Sequence, residues 1–222
     1  MTPGVMTGDT AARMDRMYRY QRHIYDATRK FYLLGRDGLI ERMSLLPGDR
    51  VVEIGCGTGR NLIALARRYP GVDLYGIDAS AVMLRSAAAH IRRAGLEGRV
   101  RLAYGLGEQL DAQAMFGLER RFDSVLISYA LTMIPAWPSV VERAMTQLRP
   151  AGRLAVVDFW DQQDLPSWFR QALQSWLALF DVHPQGDMPQ FFERLARDRG
   201  GSVIIDSLLG RYAFRLIYQS PA

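Results

Sequence analysis

Apolar and polar positions alternate along this chain in two rhythms. Short apolar runs at Val51 to Ile54, Val72 to Asp78, Arg99 to Ala103, Phe122 to Tyr129 and Arg153 to Phe159 read as buried strands. Between them, Asn61 to Tyr69, Ala81 to Ala94 and Pro138 to Leu148 have the helical spacing of apolar residues. Strand and helix in succession predict a parallel sheet with helices on both faces. The end breaks this rhythm. Ser202 to Leu208 and Arg211 to Tyr218 flank Gly210 with no helix between them, which predicts a closing antiparallel hairpin and a sheet of seven strands.

The start and one late segment stand outside that core. Nothing breaks a helix from about Thr10 to Leu34, where Tyr18, Arg22, Tyr25, Arg29 and Tyr32 share one face and Tyr20, Ile24, Ala27, Phe31 and Leu34 the other. A turn at Gly35 to Gly38 and a short helix from Leu39 to Ser44 follow. Residues 161–200 are longer than a bare crossover and read as an insertion, with an aromatic and aliphatic surface from Pro166 to Phe180 and a loop from Asp181 to Pro189. The expected organisation is one domain: an N-terminal helical cap over 1–44, a core over 45–160, the insertion over 161–200 and closing strands over 201–222.

Composition narrows the class. A chain of 222 residues with 49% hydrophobic and 23% charged positions suits one globular α/β domain. No apolar run approaches the ~20 residues that span a bilayer, and the opening residues lack the basic and apolar regions of an export signal. The single cysteine, Cys56, excludes a disulfide frame, and three scattered histidines do not suggest a metal. The net charge of +5 is concentrated early: residues 11–42 hold eight Arg or Lys against four acids, a stretch able to meet phosphates or to be a solvated helix face.

Chemistry concentrates in Val51-Val-Glu-Ile-Gly-Cys-Gly-Thr-Gly-Arg-Asn61. A strand that breaks into alternating glycines before a helix brings backbone close to a ligand, because glycine accepts positive φ and has no Cβ in the way. A dinucleotide fingerprint wants glycine at the first, third and sixth positions of the turn. The sixth here is Arg60, which disfavours a pyrophosphate. Glu53 before the turn and Asp78 ending Leu74-Tyr-Gly-Ile-Asp78 suit a ligand with an amino-acid end, a ribose and no phosphate; Asp78 can accept both ribose hydroxyls.

S-Adenosylmethionine has those parts. Glu-Ile-Gly-Cys-Gly-Thr-Gly and Gly-Ile-Asp-Ala-Ser, at this spacing, resemble the motifs of class I S-adenosylmethionine-dependent methyltransferases. The resemblance implies a Rossmann-like sheet, S-adenosyl-L-methionine as cofactor and S-adenosyl-L-homocysteine as product. Cofactor contacts are expected at Glu53, Gly55, Cys56, Gly57, Asn61, Asp78, Ala79 and Met83, the last against adenine or in the core. Leu106 stands where the family usually has an acid beside the adenine amino group, so backbone at Leu106 and Gly107, or Glu108, takes that place. Ser128 and Tyr129 close a central strand, where ligands sit in an open α/β sheet, and with Met133 are expected at the cofactor. Tyr25, Arg29 and Tyr32 are expected to close over its methionine end, with Arg29 near the carboxylate.

A second likeness is narrower. Gln21 to Asp37, Ser128 to Trp137, Val156 to Trp160 and Gly210 to Ala213 resemble bacterial betaine-lipid N-methyltransferases, which convert diacylglycerylhomoserine to diacylglyceryl-trimethylhomoserine. That implies a lipid substrate at the membrane surface, a cytoplasmic enzyme peripheral to the inner face, and no nucleic acid. Tyr25, Tyr129 or His183 could take the amine proton, or bulk water could suffice. Tyr25, Tyr32, Tyr129 and Trp160 are candidates to hold the quaternary cation, and Arg211 or Arg22 the carboxylate. Trp168, Phe169, Trp176 and Phe180 with the basic N-terminal helix could rest on an anionic membrane. Methylation of phosphatidylethanolamine or a small amine, and a non-catalytic cofactor-binding partner, are the alternative readings. An RNA methyltransferase is disfavoured, because the positives lie on one helix with no appended RNA-binding module.

Overall fold

A computed structural model describes residues 33–222. Five parallel strands, β1 (Arg50–Ile54), β2 (Asp73–Asp78), β3 (Val100–Tyr104), β4 (Phe122–Ser128) and β5 (Leu148–Phe159), are joined by β6 (Ser202–Leu208) and β7 (Ala213–Gln219). The sheet order is β3-β2-β1-β4-β5-β7-β6, with β7 antiparallel to both neighbours. This is the Rossmann-like, seven-stranded architecture expected from the sequence. The order turns back between β1 and β4, which leaves a crevice at the carboxyl ends of those two strands.

Strand alternation decides what faces that crevice. Val52, Ile54, Val125 and Ile127 pack on one face with α4 (Ala112–Phe116), α5 (Trp137–Thr146) and α7 (Met188–Asp198). Val51 and Leu126 pack on the other with α1 (Arg36–Arg42), α2 (Arg60–Arg68), α3 (Ala81–Arg93) and α6 (Ser167–Ala178). Glu53 and Ser128 lie two residues beyond Val51 and Leu126, so the pleat points both to the α2 side at the top of the sheet. Every residue of β4 is buried, which is why Val125 to Ile127 run apolar instead of alternating.

Four elements differ from the sequence reading. α1 begins at Arg36, inside the expected Gly35 to Gly38 turn, and ends at Arg42, short of Ser44; Gly35 at φ 80° turns the chain into it. The helix α7 begins inside the expected loop, because Pro189 sits in its first turn, where proline starts a helix as readily as it ends a loop; Met188, Phe192 and Ala196 form its buried stripe. The five-residue α4 is too short for a periodic signal and is set by Asp111, whose side chain accepts the Gln113 and Ala114 amides. β5 begins at Leu148, not Arg153: it crosses Pro150 to Gly152 with Ala151 at φ 55°, opposite a register shift between Phe122 and Ser124. Among the described residues no helix is long and apolar enough to cross a membrane, and no group of three His, Cys, Asp or Glu could hold a metal ion.

Candidate active site

The glycine turn is built as its sequence requires. Gly55, Gly57 and Gly59 have φ of 69°, 54° and 77°, and a Cβ on Gly55 would lie 2.8 Å from that of Ala130. The amides of Gly55 and Cys56 both donate to the Ile77 carbonyl, at 2.9 and 3.0 Å, fastening the turn to the end of β2. One residue on, buried Asp78 accepts the Gly57 amide at 2.8 Å and, through its other oxygen, the Ser80 amide at 2.8 Å. The carboxylate proposed for a ribose therefore also locks the bend, and a carboxylate oxygen can accept more than one hydrogen bond.

A cleft of about 660 Å³ opens beside this turn. Its inner wall includes Leu33, Gly55, Cys56, Gly57, Ser128 and Glu53, and Glu53 accepts the Asn61 side-chain amide at 2.7 Å. Ser128 Oγ is buried and has no hydrogen-bond partner among the described residues. A ligand with polar groups fits here: the turn admits close approach of backbone, and a buried hydroxyl faces the space with its hydrogen-bonding capacity unused. Burial, then Asp78 and Glu53, push the Cys56 thiol well above its usual range, so it stays neutral and is no nucleophile.

The outer wall is basic. Arg36, Arg60, Arg67 and His90 line it, while Glu53 is the one carboxylate lining the cleft among the described residues. Arg60 meets Asp37 at 2.7 Å in an exposed pair. His90 Nδ1 lies 3.1 Å from the Thr58 carbonyl; a carbonyl only accepts, so Nδ1 carries the proton and Nε2 is left as the acceptor of the neutral ring. The sequence reading missed this wall. Arg60, which stands where a pyrophosphate fingerprint has glycine, also places a cation at the start of α2. Arg36, Arg67 and His90 come together only through tertiary packing.

Of the expected cofactor residues, Glu53, Gly55, Cys56, Gly57, Asn61 and Ser128 line the cleft. Ala79 follows Asp78 into α3, where Ser80 caps the Met83 amide at 3.3 Å and the Met83 side chain is buried. Leu106 is extended and half-buried before a short turn at Gly107–Gln109. A Cβ on Gly107 would fall 2.8 Å from Val140 and 2.9 Å from Ile54, so packing alone explains that glycine. Met133 ends a turn at Leu131–Met133. Tyr25, Arg29, Tyr32 and Arg22 lie outside the described residues.

Four acceptor-side expectations need correction. The Tyr129 hydroxyl is not presented to the cleft: it donates to the Leu34 carbonyl at 2.7 Å, its ring is edge-on to Phe159 at 4.7 Å, and burial raises its pKa well above 10. His183 does not line the cleft. Its ring is 61% exposed and pairs with Asp181 at 3.2 Å. The face of Trp160 already holds a cation, the Arg211 guanidinium at 4.2 Å, and its indole N–H donates to the Gly186 carbonyl. Arg211 is in turn paired with Asp161, and neither it nor Trp160 lines the cleft.

Asp158, unremarked in the sequence, organises this side. Fully buried at the end of β5, it accepts the Leu131 amide and the Thr132 hydroxyl at 2.8 and 2.7 Å, and the Phe159 amide at 2.8 Å. Burial raises its pKa to about 6, against the pull of those donors.

Residues 45–196 match a family described as a methyltransferase domain. Trans-aconitate 2-methyltransferase of Deinococcus radiodurans is 36% identical over 110 residues, covering 50% of this chain and 38% of that protein. Nocamycin O-methyltransferase of Saccharothrix syringae is 33% identical over 147 residues, 65% of this chain and 50% of that one. The chain thus spans about half or less of the length of these relatives. Among solved structures, the plantazolicin methyltransferase BpumL, in complex with a triazolic desmethylPZN analog and SAH, superposes with a TM-score of 0.70 over 97% of this chain and 98% of that one; at 12% identity the likeness is one of fold.

Proposed function

The chain belongs to the methyltransferase-domain family, and from that premise we propose that it transfers the methyl group of S-adenosylmethionine to the amine of a lipid headgroup, converting diacylglycerylhomoserine to diacylglyceryl-trimethylhomoserine at the inner membrane face. The cofactor is the one its class uses. When bound, it supplies an electrophilic methyl carbon on a sulfonium. Gly55 and Gly57 allow close approach of the backbone, Asp78 holds the turn and stands at the ribose end, and Ser128 and Glu53 with Asn61 are the polar groups for the amino-acid end. Transfer to an amine is a direct displacement, so the protein mainly aligns the reactants and removes water. The amine must arrive unprotonated, and His90 Nε2 is the acceptor in the cleft wall that can take that proton.

The observation that carries the acceptor's chemistry is the charge of the outer wall: Arg36, Arg60 and Arg67 line it, with Asp37 paired to Arg60 just outside and Glu53 the carboxylate of the inner wall. Such a wall suits an acceptor that brings an anionic group beside its reacting atom, and the homoserine headgroup has a carboxylate next to its amine. The likeness of Gln21 to Asp37 and Gly210 to Ala213 to betaine-lipid N-methyltransferases supports the lipid.

Mass spectrometry of headgroups after mixing protein, cofactor and diacylglycerylhomoserine should show mono-, di- and trimethylated products; an unmodified headgroup overturns the reading. The same wall favours a second reading, methylation of a carboxylate oxygen, since a relative is named for trans-aconitate. A parallel reaction with trans-aconitate separates the two.

A further inference from the structure

Register sorts the side chains beside α1 into rows. Residues two apart on a strand share a face, so β5, β7 and β6 send three cross-strand rows to the α1 side: Val157, Arg215 and Asp206; Ala155, Ile217 and Ile204; Arg153, Gln219 and Ser202. The helix packs toward the carboxyl end of β5, where a Cβ on Gly35 would lie 2.4 Å from Leu208 and one on Gly38 2.8 Å from Arg215 Nη1. It ends at Arg42. Beyond that end the rows are left open: Ile204 is 69% exposed, and a cavity of about 400 Å³ is lined by Ile204 and Ile217 together with Arg42, Arg215, Asp206 and Arg153.

Two of the three guanidiniums share one acid. Asp206 Oδ2 accepts Arg42 at 2.6 Å and Arg215 at 2.8 Å. Arg153 has no ion pair among the described residues: it donates through Nε to Gln219 Oε1 and through Nη1 to the Met43 carbonyl, each at 2.9 Å and each a neutral acceptor. Those two bonds fix the plane of its guanidinium and leave Nη2 without a hydrogen bond among the described residues. A held, uncompensated fork matches the paired oxygens of a carboxylate or a phosphate. Beside it, Ile217 and Ile204 offer apolar surface to whatever carries that head. The cavity is distinct from the cleft, since no residue lines both and Arg153 lies opposite Ser124 near the start of β4, whereas the cleft opens at that strand's other end.

We propose that this cavity is a second ligand site, which binds a small organic anion with its carboxylate or phosphate head on Arg153 and its apolar body along Ile217 and Ile204. The site does not depend on what the cleft methylates. Calorimetry on the full chain should find octanoate and octyl phosphate bound with a Kd of about 1 mM or below, and the tighter of the two names the head. Inorganic phosphate, which lacks the body, should bind at least about tenfold more weakly than octyl phosphate, and octylamine, with the opposite charge, should not bind. Arg153→Gln removes the partner of the head and should weaken octanoate at least about tenfold. Ile204→Asp places a like charge at an exposed position, should weaken it as much, and carries the test should Arg153→Gln fold poorly. Both variants should bind S-adenosylmethionine as the parent does, and saturation with that cofactor should leave octanoate binding unchanged.

A parent that binds neither octanoate nor octyl phosphate, or that binds them no better than the two variants do, overturns the site. Octylamine bound as tightly as octanoate removes the role of Arg153, and inorganic phosphate bound as tightly as octyl phosphate removes that of the apolar row. Displacement of octanoate by S-adenosylmethionine would move the anion into the cleft. A parent dimer that Ile204→Asp splits would put a second copy over the row in place of a ligand.

Discussion

The two halves of the sheet's carboxyl edge use their polar residues differently. Around β1 and β2, Asp78, Glu53 and Asn61 act on the glycine turn or the cleft wall. Around β4 and β5, Tyr129, Asp158, Trp160 and Arg211 are engaged with Leu34, the Leu131–Met133 turn, Gly186 and Asp161. The first half, together with Ser128 at the end of β4, is built to receive a ligand; beyond Ser128 the second is built to hold itself in place. The contrast locates the cofactor better than the acceptor, and it can be tested residue by residue.

Asp78→Ala should have the largest effect. It strips the acceptor from two buried amides, those of Gly57 and Ser80, each worth about 1–3 kcal/mol when left unpaired. Calorimetry should find S-adenosylmethionine bound at least about 100-fold more weakly, with a lower melting temperature. Cofactor affinity equal to the parent's would break the contrast at its stronger end.

Next comes the pH dependence set by Asp158. Its pKa is raised by burial from 3.8 to about 6, so the folded state binds this proton more tightly than the unfolded chain does. The sign is therefore opposite to that of a salt-bridged acid: the group's contribution is most favourable below pH ~4 and declines as pH rises to ~6, a difference of about 3 kcal/mol. Asp111 and Asp123, whose pKa values are lowered, act only below that window. Urea unfolding should show stability rising from pH 7 to pH 5, and Asp158→Asn should flatten the rise while lowering stability at pH 7, because its amide would face the Leu131, Thr132 and Phe159 donors. A parent whose stability does not change between those pH values would show that the pocket holds the charge without penalty.

How much was legible follows the same division. The strands, the closing hairpin and the glycine turn were readable because local sequence decides them: Gly55, Gly57 and Gly59 are needed wherever backbone takes positive φ. The acceptor side was misread at Tyr129, Trp160, Arg211 and His183 because side-chain type says what a group can bind, not which neighbour reaches it first. Trp160 was a sound candidate to hold a cation, and it does hold one, but the cation is Arg211, brought across by the β6–β7 turn. Arg36, Arg67 and His90 carried no local signal, since their common wall exists only after α1, α2 and α3 pack.

Tyr129→Phe sharpens the contrast at smaller scale. The ring stays, and only the hydroxyl bond to the Leu34 carbonyl is lost, at a cost of about 1 kcal/mol. Methyl-transfer rate should change less than about threefold, whereas loss of a proton acceptor would lower it by about 100-fold or more. A fall of the second size would return Tyr129 to the reaction.

His183→Ala should do least. Its amide donates to the Thr132 carbonyl at 2.9 Å, a backbone bond that the substitution keeps. What is removed is an exposed ring beside a 40% exposed Asp181, a surface pair of the kind worth about 0–1 kcal/mol. Melting temperature and turnover should both stay near the parent's. The informative partner is His90→Ala, which removes the Nε2 acceptor from the cleft wall and should lower turnover by about 100-fold or more while leaving cofactor affinity close to normal. The reverse pattern, with turnover lost in His183→Ala and kept in His90→Ala, would move the proton acceptor to the loop before α7. The acceptor half would then be a working site that closes around its substrate, and the division between the two halves would no longer hold.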